Sequence, residues 1–140
     1  EHEVLNKRLQ QRMATIRAAE QRSVEFFTED AELLVVGYGT AGRIALTAVQ
    51  EARARGLRVG LFRPQTIWPF PERRLRELGD RVRAVLVTEM NAGQMIEDVR
   101  LALEGRVPVA FYGRMGGVVP MPDEIIEAIQ AQFAPVMVAG

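Results

Sequence analysis

The sequence predicts an α/β fold with three layers, in which helices cover both faces of a mostly parallel sheet. Short apolar runs rich in Leu, Val and Phe alternate with longer amphipathic segments, and each apolar run is followed by a loop that contains glycine or proline. The chain has 140 residues, which suffices for one domain with a substantial core. We therefore expect strand–helix units joined by right-handed crossovers.

Composition excludes several classes of site. Lys plus Arg equals Asp plus Glu, at 18 each, so the charge balance gives no reason to expect nucleic acid or an acidic membrane as a partner. The chain has no cysteine and one histidine, His2, which argues against a cysteine-ligated cluster, a Ser-His-Asp triad or a histidine-based metal site. No membrane span or signal peptide is visible, and we expect a cytoplasmic protein.

The first 30 residues are predicted to form a linker that precedes an α/β domain at 31–140. In Glu1–Gln21 the spacing of the apolar residues predicts a basic amphipathic helix, whose apolar stripe is Leu5, Leu9, Met13 and Ile16. The stripe could pack on this domain, or on a preceding domain or another subunit. Val24–Thr28 could form a short edge strand. Because the chain begins with Glu rather than Met, we expect it to be cut from a longer protein.

The first strand–helix unit consists of a strand at about Glu32–Val36 and a helix at about Ala41–Arg55. Small residues on one helix face allow close packing on the sheet, and Gly56 ends the helix. The second strand covers about Leu57–Phe62 and leads into a proline-bearing loop, Arg63–Pro71. Pro71 suits the first position of a helix that ends at Gly79.

The third strand covers about Ala84–Val87, and the helix after it buries Met95, Ile96, Val99 and Leu103. The fourth strand covers about Val107–Phe111, and its Pro108 indicates a sheet edge. A glycine-rich loop, Tyr112–Met121, precedes a last helix that opens at Pro122. Ala134–Gly140 is either a short strand or a tail. All the predicted loops that follow strands lie at one edge of the sheet, where such folds bind ligands and partners.

The turn after the first strand reads G-x-G-x-x-G and is the first candidate site, with Gly37, Gly39, Thr40 and Gly42 as its contacts. A dinucleotide site needs a carboxylate at the end of the second strand, where this chain has Phe62-Arg63-Pro64. Arg63 could instead favour the 2′-phosphate of NADP. Alternatively, the glycines allow a sharp turn and close packing, or they face another anion or a partner's backbone.

The segment after the third strand is the second candidate site, with Glu89, Asn91 and Gln94. Glu89 could act as a general base. Alternatively, Asn91 caps the next helix while Glu89 binds nearby backbone N–H groups or an arginine. In the other loops, Trp68 and Phe70 could form a docking patch or cover one end of the core. Arg114 could bind an anion or stay solvated.

Five segments resemble a known family in their residues, order and spacing: Val35–Gly42, Leu61–Pro71, Thr88–Gln94, Tyr112–Gly117 and Pro122–Ile125. Over about Glu32–Ile129 the chain resembles the C-terminal domain of the alpha subunit of 2-oxoacid:ferredoxin (2-oxoacid:acceptor) oxidoreductases, which is similar to the C-terminal domain of transketolase. The Arg-Pro and Trp-Pro-Phe-Pro run and the Glu-x-Asn-x-Gly-Gln run are more specific than the glycine turn. Tyr38 stands where the family often has Trp.

The resemblance implies an enzyme that converts a 2-oxoacid, coenzyme A and oxidised ferredoxin to acyl-CoA, CO2 and reduced ferredoxin. Such enzymes use thiamine diphosphate with Mg and [4Fe–4S] clusters, which the resemblance places on other domains and subunits. This chain would then carry no cofactor or catalytic residue, would be inactive alone, and would assemble the complex. Its partners would be the preceding pyrimidine-binding domain, the beta and other subunits, and ferredoxin through the complex.

For interface or substrate-approach contacts the resemblance points to six residues, which are Arg63, Trp68, Glu89, Asn91, Gln94 and Arg114. Two other hypotheses stay open at this point. The chain could be an independent NADP-binding, Rossmann-like domain, or a scaffold that self-associates through the apolar stripe of Glu1–Gln21.

Overall fold

The computed structural model describes residues 8, 22–66, 69–90, 94–113 and 121–139, with the side chains of 94 and 134–139 excepted. The predicted helix at Glu1–Gln21 lies outside the described residues apart from Arg8. Trp68, Asn91 and Arg114 also lie outside them, as does the side chain of Gln94.

Within these residues the sheet has five strands in the order β1-β3-β2-β4-β5. They are β1 (Ser23–Phe26), β2 (Leu33–Gly37), β3 (Val59–Pro64), β4 (Ala84–Glu89) and β5 (Val109–Gly113). The four strands β2 to β5 are mutually parallel, and β1 pairs antiparallel with β3 at one edge. The predictions of a mostly parallel sheet, of an edge strand in Val24–Thr28 and of an edge position after Pro108 are confirmed.

Four helices follow the parallel strands: α1 (Gly39–Ala54), α2 (Glu72–Gly79), α3 (Gln94–Leu103) and α4 (Pro122–Ala139). Helices α1 and α4 pack on one face of the sheet, and their core includes Val35, Leu61, Leu86, Ala48 and Ile129. Helices α2 and α3 pack on the other face, and their core includes Val36, Phe62, Val87, Leu75 and Val99. The predicted three-layer arrangement is therefore confirmed. None of these described helices combines the length and apolarity needed to cross a membrane.

Two strands extend further than the sequence pattern predicts, because pairing with neighbouring strands continues past the apolar run. The second strand was expected to end at Phe62, but Arg63 and Pro64 belong to β3 and pair with β1. The third strand was expected to end at Val87, but β4 continues through Glu89, beside Gly113 of β5. Residues predicted as the start of loops are thus fixed in the sheet.

The last strand and last helix also differ from the prediction. β5 begins at Val109 rather than Val107, after Pro108, whose backbone carbonyl accepts a hydrogen bond from the Val85 amide. The strand then includes Tyr112 and Gly113, which were expected to begin a loop. The prediction of a strand or tail at Ala134–Gly140 is wrong for its described part, because α4 continues to Ala139. Extending an existing helix adds a hydrogen bond for each residue fixed, whereas a new strand needs a new partner.

Candidate functional site

The carboxyl edge of the sheet presents its polar residues on two different faces. Leu61 and Leu86 face α1 and α4, whereas Phe62 and Val87 face α2 and α3. Because side chains alternate along a strand, Arg63 lies on the α1 side, and Glu89, two residues beyond Val87, lies on the α3 side. The structure therefore places these two candidate residues at the same edge but on opposite faces.

The glycine turn between β2 and α1 is a site of close backbone packing. A Cβ added at Gly42 would lie 2.7 Å from the carbonyl oxygen of Gly37 and 2.8 Å from Nε of Arg63, and one added at Gly37 would lie 2.9 Å from Cα of Gly42. Gly39 has open space around it but a φ of +61°, which side chains disfavour. These contacts support the alternative that the glycines serve a sharp turn and close helix–sheet packing. Thr40 is exposed in the first turn of α1.

Glu89 caps helix α3. Its side chain is buried, and its carboxylate accepts hydrogen bonds from the backbone N–H groups of Met95, at 2.6 Å, and Ile96, at 3.3 Å. The first N–H groups of a helix have no partner within the helix, and a carboxylate there also interacts favourably with the helix dipole. The prediction that Glu89 binds nearby backbone N–H groups is confirmed, while the expected cap at Asn91 lies outside the described residues.

Two aromatic rings at this edge have defined places. Phe70, in the loop before α2, is half-buried and packs against the core beneath α2 and α3, which confirms the prediction that it covers one end of the core. Tyr112 of β5 donates a hydrogen bond from its hydroxyl to the carboxylate of Glu124 in α4. The hydrogen bond between Tyr112 and Glu124 links the edge strand β5 to the last helix, α4.

A cleft of about 350 Å³ opens beside Arg63, and we call it the Arg63 cleft. Its lining residues are Val24, Tyr38, Gly39, Arg63, Pro64 and Gln65. Tyr38 is 44% exposed. Sequence reasoning singled out Arg63 and Gly39 as site residues but did not connect Val24 with them, because the pairing of β1 with β3 brings Val24 beside Arg63 and no local pattern specifies that pairing.

The opposite side of the β1–β3 edge carries an ion pair. Glu25 of β1 accepts hydrogen bonds from the guanidinium of Arg74 in α2 and from the hydroxyl of Thr28, at 2.9 Å. The hydrogen bond from Arg74 is the main cause that lowers the pKa of Glu25, against the opposing effect of burial. This carboxylate is therefore engaged in holding β1 against α2.

A family comparison identifies the domain. Residues 31–125 match the family described as pyruvate:ferredoxin oxidoreductase core domain II. The chain belongs to this family. The resemblance predicted from the five sequence segments is confirmed at the level of this family.

One curated relative of this domain II chain is ketoisovalerate oxidoreductase subunit VorB from Methanothermobacter thermautotrophicus. It is 42% identical over 130 residues, which cover 93% of this chain and 37% of the relative. The chain thus spans little more than a third of that relative's length.

Two solved structures share the fold of domain II. A 2-oxoglutarate:ferredoxin oxidoreductase from Magnetococcus marinus has a TM-score of 0.83 and 21% identity, over 94% of this chain and 23% of that one. A split-gene transketolase has a TM-score of 0.67 and 19% identity, over 79% of this chain and 40% of that one. At these identities the structures bear on fold alone, and they confirm the predicted transketolase-like architecture. No comparison supports the alternative of an independent NADP-binding domain.

Proposed function

We propose that this chain is a non-catalytic assembly domain of a thiamine-diphosphate-dependent 2-oxoacid:ferredoxin oxidoreductase. The complete enzyme would convert a 2-oxoacid, coenzyme A and oxidised ferredoxin to acyl-CoA, CO2 and reduced ferredoxin. The observation that carries the proposal is the match of residues 31–125 to core domain II, in a chain that covers only 37% of its relative VorB. Such a domain has to work together with other parts of an enzyme.

The chemistry of the chain supports a role other than cofactor binding. Iron–sulfur clusters need thiolate ligands, and the chain has no cysteine. Among the described residues, no group of three His, Cys, Asp or Glu side chains could hold a metal ion. The residues described here therefore do not fit an iron–sulfur cluster or a metal centre, and we assign the thiamine diphosphate, Mg and [4Fe–4S] groups to other parts of the enzyme.

The engagement of Glu89 supports the same conclusion. Both of its carboxylate oxygens accept a backbone N–H group from the first turn of α3. A carboxylate in this position stabilises the loop and helix at the carboxyl edge, and its side chain is buried against the start of α3 rather than exposed for a substrate. We therefore propose that Glu89 positions this edge and does not act as a general base.

The contacts of the domain in the enzyme are part of the proposal. Arg63, Trp68, Asn91, Gln94 and Arg114 would face another subunit or the approach of the 2-oxoacid or coenzyme A. Partners would be the preceding pyrimidine-binding domain, the beta and other subunits, and ferredoxin through the complex, in the cytoplasm. The identity of the 2-oxoacid would be decided by the other domains.

The proposal is tested in the complete enzyme with two pairs of variants. Trp68→Ala and Arg114→Ala should weaken subunit association, measured by light scattering, and lower ferredoxin reduction in proportion to the loss of assembled enzyme. Glu89→Gln should leave kcat within about threefold of the wild type, whereas loss of a general base lowers it about 10²–10⁴-fold. Glu127→Gln, at an exposed position of α4, is the matched control. A variant that assembles normally but turns over a hundredfold or more slower, roughly the effect of losing a general base, would show that the domain is catalytic.

A further inference from the structure

Arg63 differs from the other partly buried arginines of the described residues. Arg53, Arg74 and Arg76 each form an ion pair with a carboxylate and at least one further hydrogen bond. Arg63 is also partly buried, yet among the described residues it forms neither an ion pair nor a hydrogen bond. A guanidinium group has five N–H donors, and among the described residues no side-chain nitrogen is both buried and without a partner, so the donors of Arg63 remain accessible to solvent and to a ligand.

The surroundings of Arg63 hold it in place without neutralising it. The backbone of Arg63 is fixed in β3 between β1 and β2, opposite Val24. Its Nε lies against Gly42, where a Cβ would be only 2.8 Å away. The close approach that glycine permits thus lets the side chain lie across the start of α1, at the mouth of the Arg63 cleft.

The described residues that line the Arg63 cleft include a positive charge and no negative charge. Of the lining residues that the structure describes, none is acidic, and the first turn of α1 has no acidic residue. Arg22, an exposed residue whose backbone carbonyl accepts a hydrogen bond from the Gln65 amide, adds a second cationic residue next to the cleft. The exposed ring of Tyr38 gives the opening one apolar wall with a hydroxyl group. A volume of about 350 Å³ is enough for a small charged molecule or the end of a larger one.

We propose that Arg63 binds an oxyanion, a carboxylate or a phosphate group, in the Arg63 cleft. The planar fork of a guanidinium matches two oxygens of either group, and such charge-assisted hydrogen bonds are stronger than neutral ones. Tyr38 and Gln65 contribute polar groups to the same opening. The proposal deepens the proposed function, on which it rests for the origin of the anion in the enzyme, but the binding itself belongs to this chain.

The test is a calorimetric titration of the 140-residue chain with two probes, pyrophosphate for phosphate ligands and succinate for carboxylate ligands. Arg63→Gln should weaken binding about tenfold or more, the effect of losing a charge-assisted hydrogen bond. Arg63→Lys, which keeps the charge and loses the fork, should give an intermediate affinity. Arg83→Gln, an exposed arginine before β4 at the opposite end of the sheet, makes the same change in net charge and should bind like the wild type.

A second measurement needs no variant. Phenylglyoxal modifies accessible arginines, and the bound anion should protect Arg63 but not Arg83, as read by peptide mass mapping. Binding of pyrophosphate alone or of succinate alone would support the site and identify the class of its ligand. Absence of saturable binding in the wild type, or equal binding by Arg63→Gln, would overturn it. Either result leaves the assembly role untouched, because that role is measured by subunit association in the complete enzyme.

Discussion

At the residue scale, glycine is required at two positions of the turn after β2 for two different physical reasons. Gly42 is required by space, since the carbonyl oxygen of Gly37 lies where a Cβ would have to go. Gly39 is required by backbone conformation, since its φ is +61° while nothing lies within 4 Å of the Cβ position. The G-x-G-x-x-G pattern of this chain therefore reflects two separate constraints of the turn itself, without need of a bound dinucleotide.

Because the two reasons differ, substitutions at Gly42 and Gly39 should lower the free energy of unfolding by different amounts. Gly42→Ala should lower the free energy of unfolding by about 1–3 kcal/mol, because the strand and the helix must move apart. Gly39→Asn should cost less than about 1 kcal/mol, since asparagine tolerates a left-handed conformation and the position is open. Urea unfolding of both variants measures the difference. A larger loss for Gly39→Asn than for Gly42→Ala would show that backbone conformation, rather than space, limits the turn.

At the scale of elements, β1 is attached to the domain by few interactions. It pairs on one side with β3, and Glu25 links it to α2 through Arg74. On the turn that follows β1, Arg53 of α1 donates to the carbonyl of Phe27, pairs with Asp30 and lies 5.0 Å from the centroid of the Phe27 ring. Charged side chains thus fasten the carboxyl-terminal half of this strand, and the turn after it, to helices on opposite faces.

The Glu25–Arg74 pair predicts a dependence of stability on pH. The pKa of Glu25 is lower in the folded protein than its ordinary value of 4.5, so the pair stabilises the fold fully above about pH 4.5. The contribution is lost as the pH falls through the lower pKa of the folded state. The difference in unfolding free energy between the wild type and Glu25→Gln should therefore shrink from pH 7 to pH 3.

Urea unfolding at a series of pH values measures this difference. Glu29→Gln, at an exposed residue three positions beyond Phe26, removes the same charge and is the matched control. Its difference from the wild type should change less with pH. An equal dependence on pH in both variants would show that net charge, rather than the pair with Arg74, sets the acid stability.

At the scale of the whole molecule, one sheet separates two cores. Residues of β2, β3 and β4 alternate between the core beneath α1 and α4 and the core beneath α2 and α3. Since the same three strands contribute to both cores, neither core can be exposed without disturbing backbone that the other requires. This coupling indicates that the described domain unfolds as one unit.

Core truncations on the two faces test that coupling. Phe62→Ala should cost about 3–5 kcal/mol, and Ile129→Ala about 2–5 kcal/mol, because both side chains are fully buried. Each variant should still unfold in a single transition with an unchanged dependence on urea. Circular dichroism follows the transition, and hydrogen exchange by mass spectrometry compares the helices of the two faces. Early exchange confined to α1 and α4 in Ile129→Ala would contradict a single unit.

The sequence by itself determined the alternation of strands and helices, the two-sided sheet and the family, because these depend on local periodicity and on short motifs such as Arg63-Pro64 and Glu89-x-Asn91. It also offered the structural role of Glu89 as one alternative beside a general base, since a carboxylate just before a helix has unpaired N–H groups within reach. Strand ends were less predictable. Whether Arg63 and Glu89 belong to loops or strands depends on pairing with β1 and β5, which are distant along the chain.

Only the tertiary structure decided how the candidate residues are distributed. The alternation of side chains along β3 and β4 puts Arg63 with α1 and Glu89 with α3, so two residues that look like neighbours at one edge serve opposite faces. The antiparallel pairing of β1 with β3 creates the Arg63 cleft from segments that have no common motif. Local sequence specifies which elements form, whereas the cleft depends on long-range register, which is set by the packing of the whole sheet.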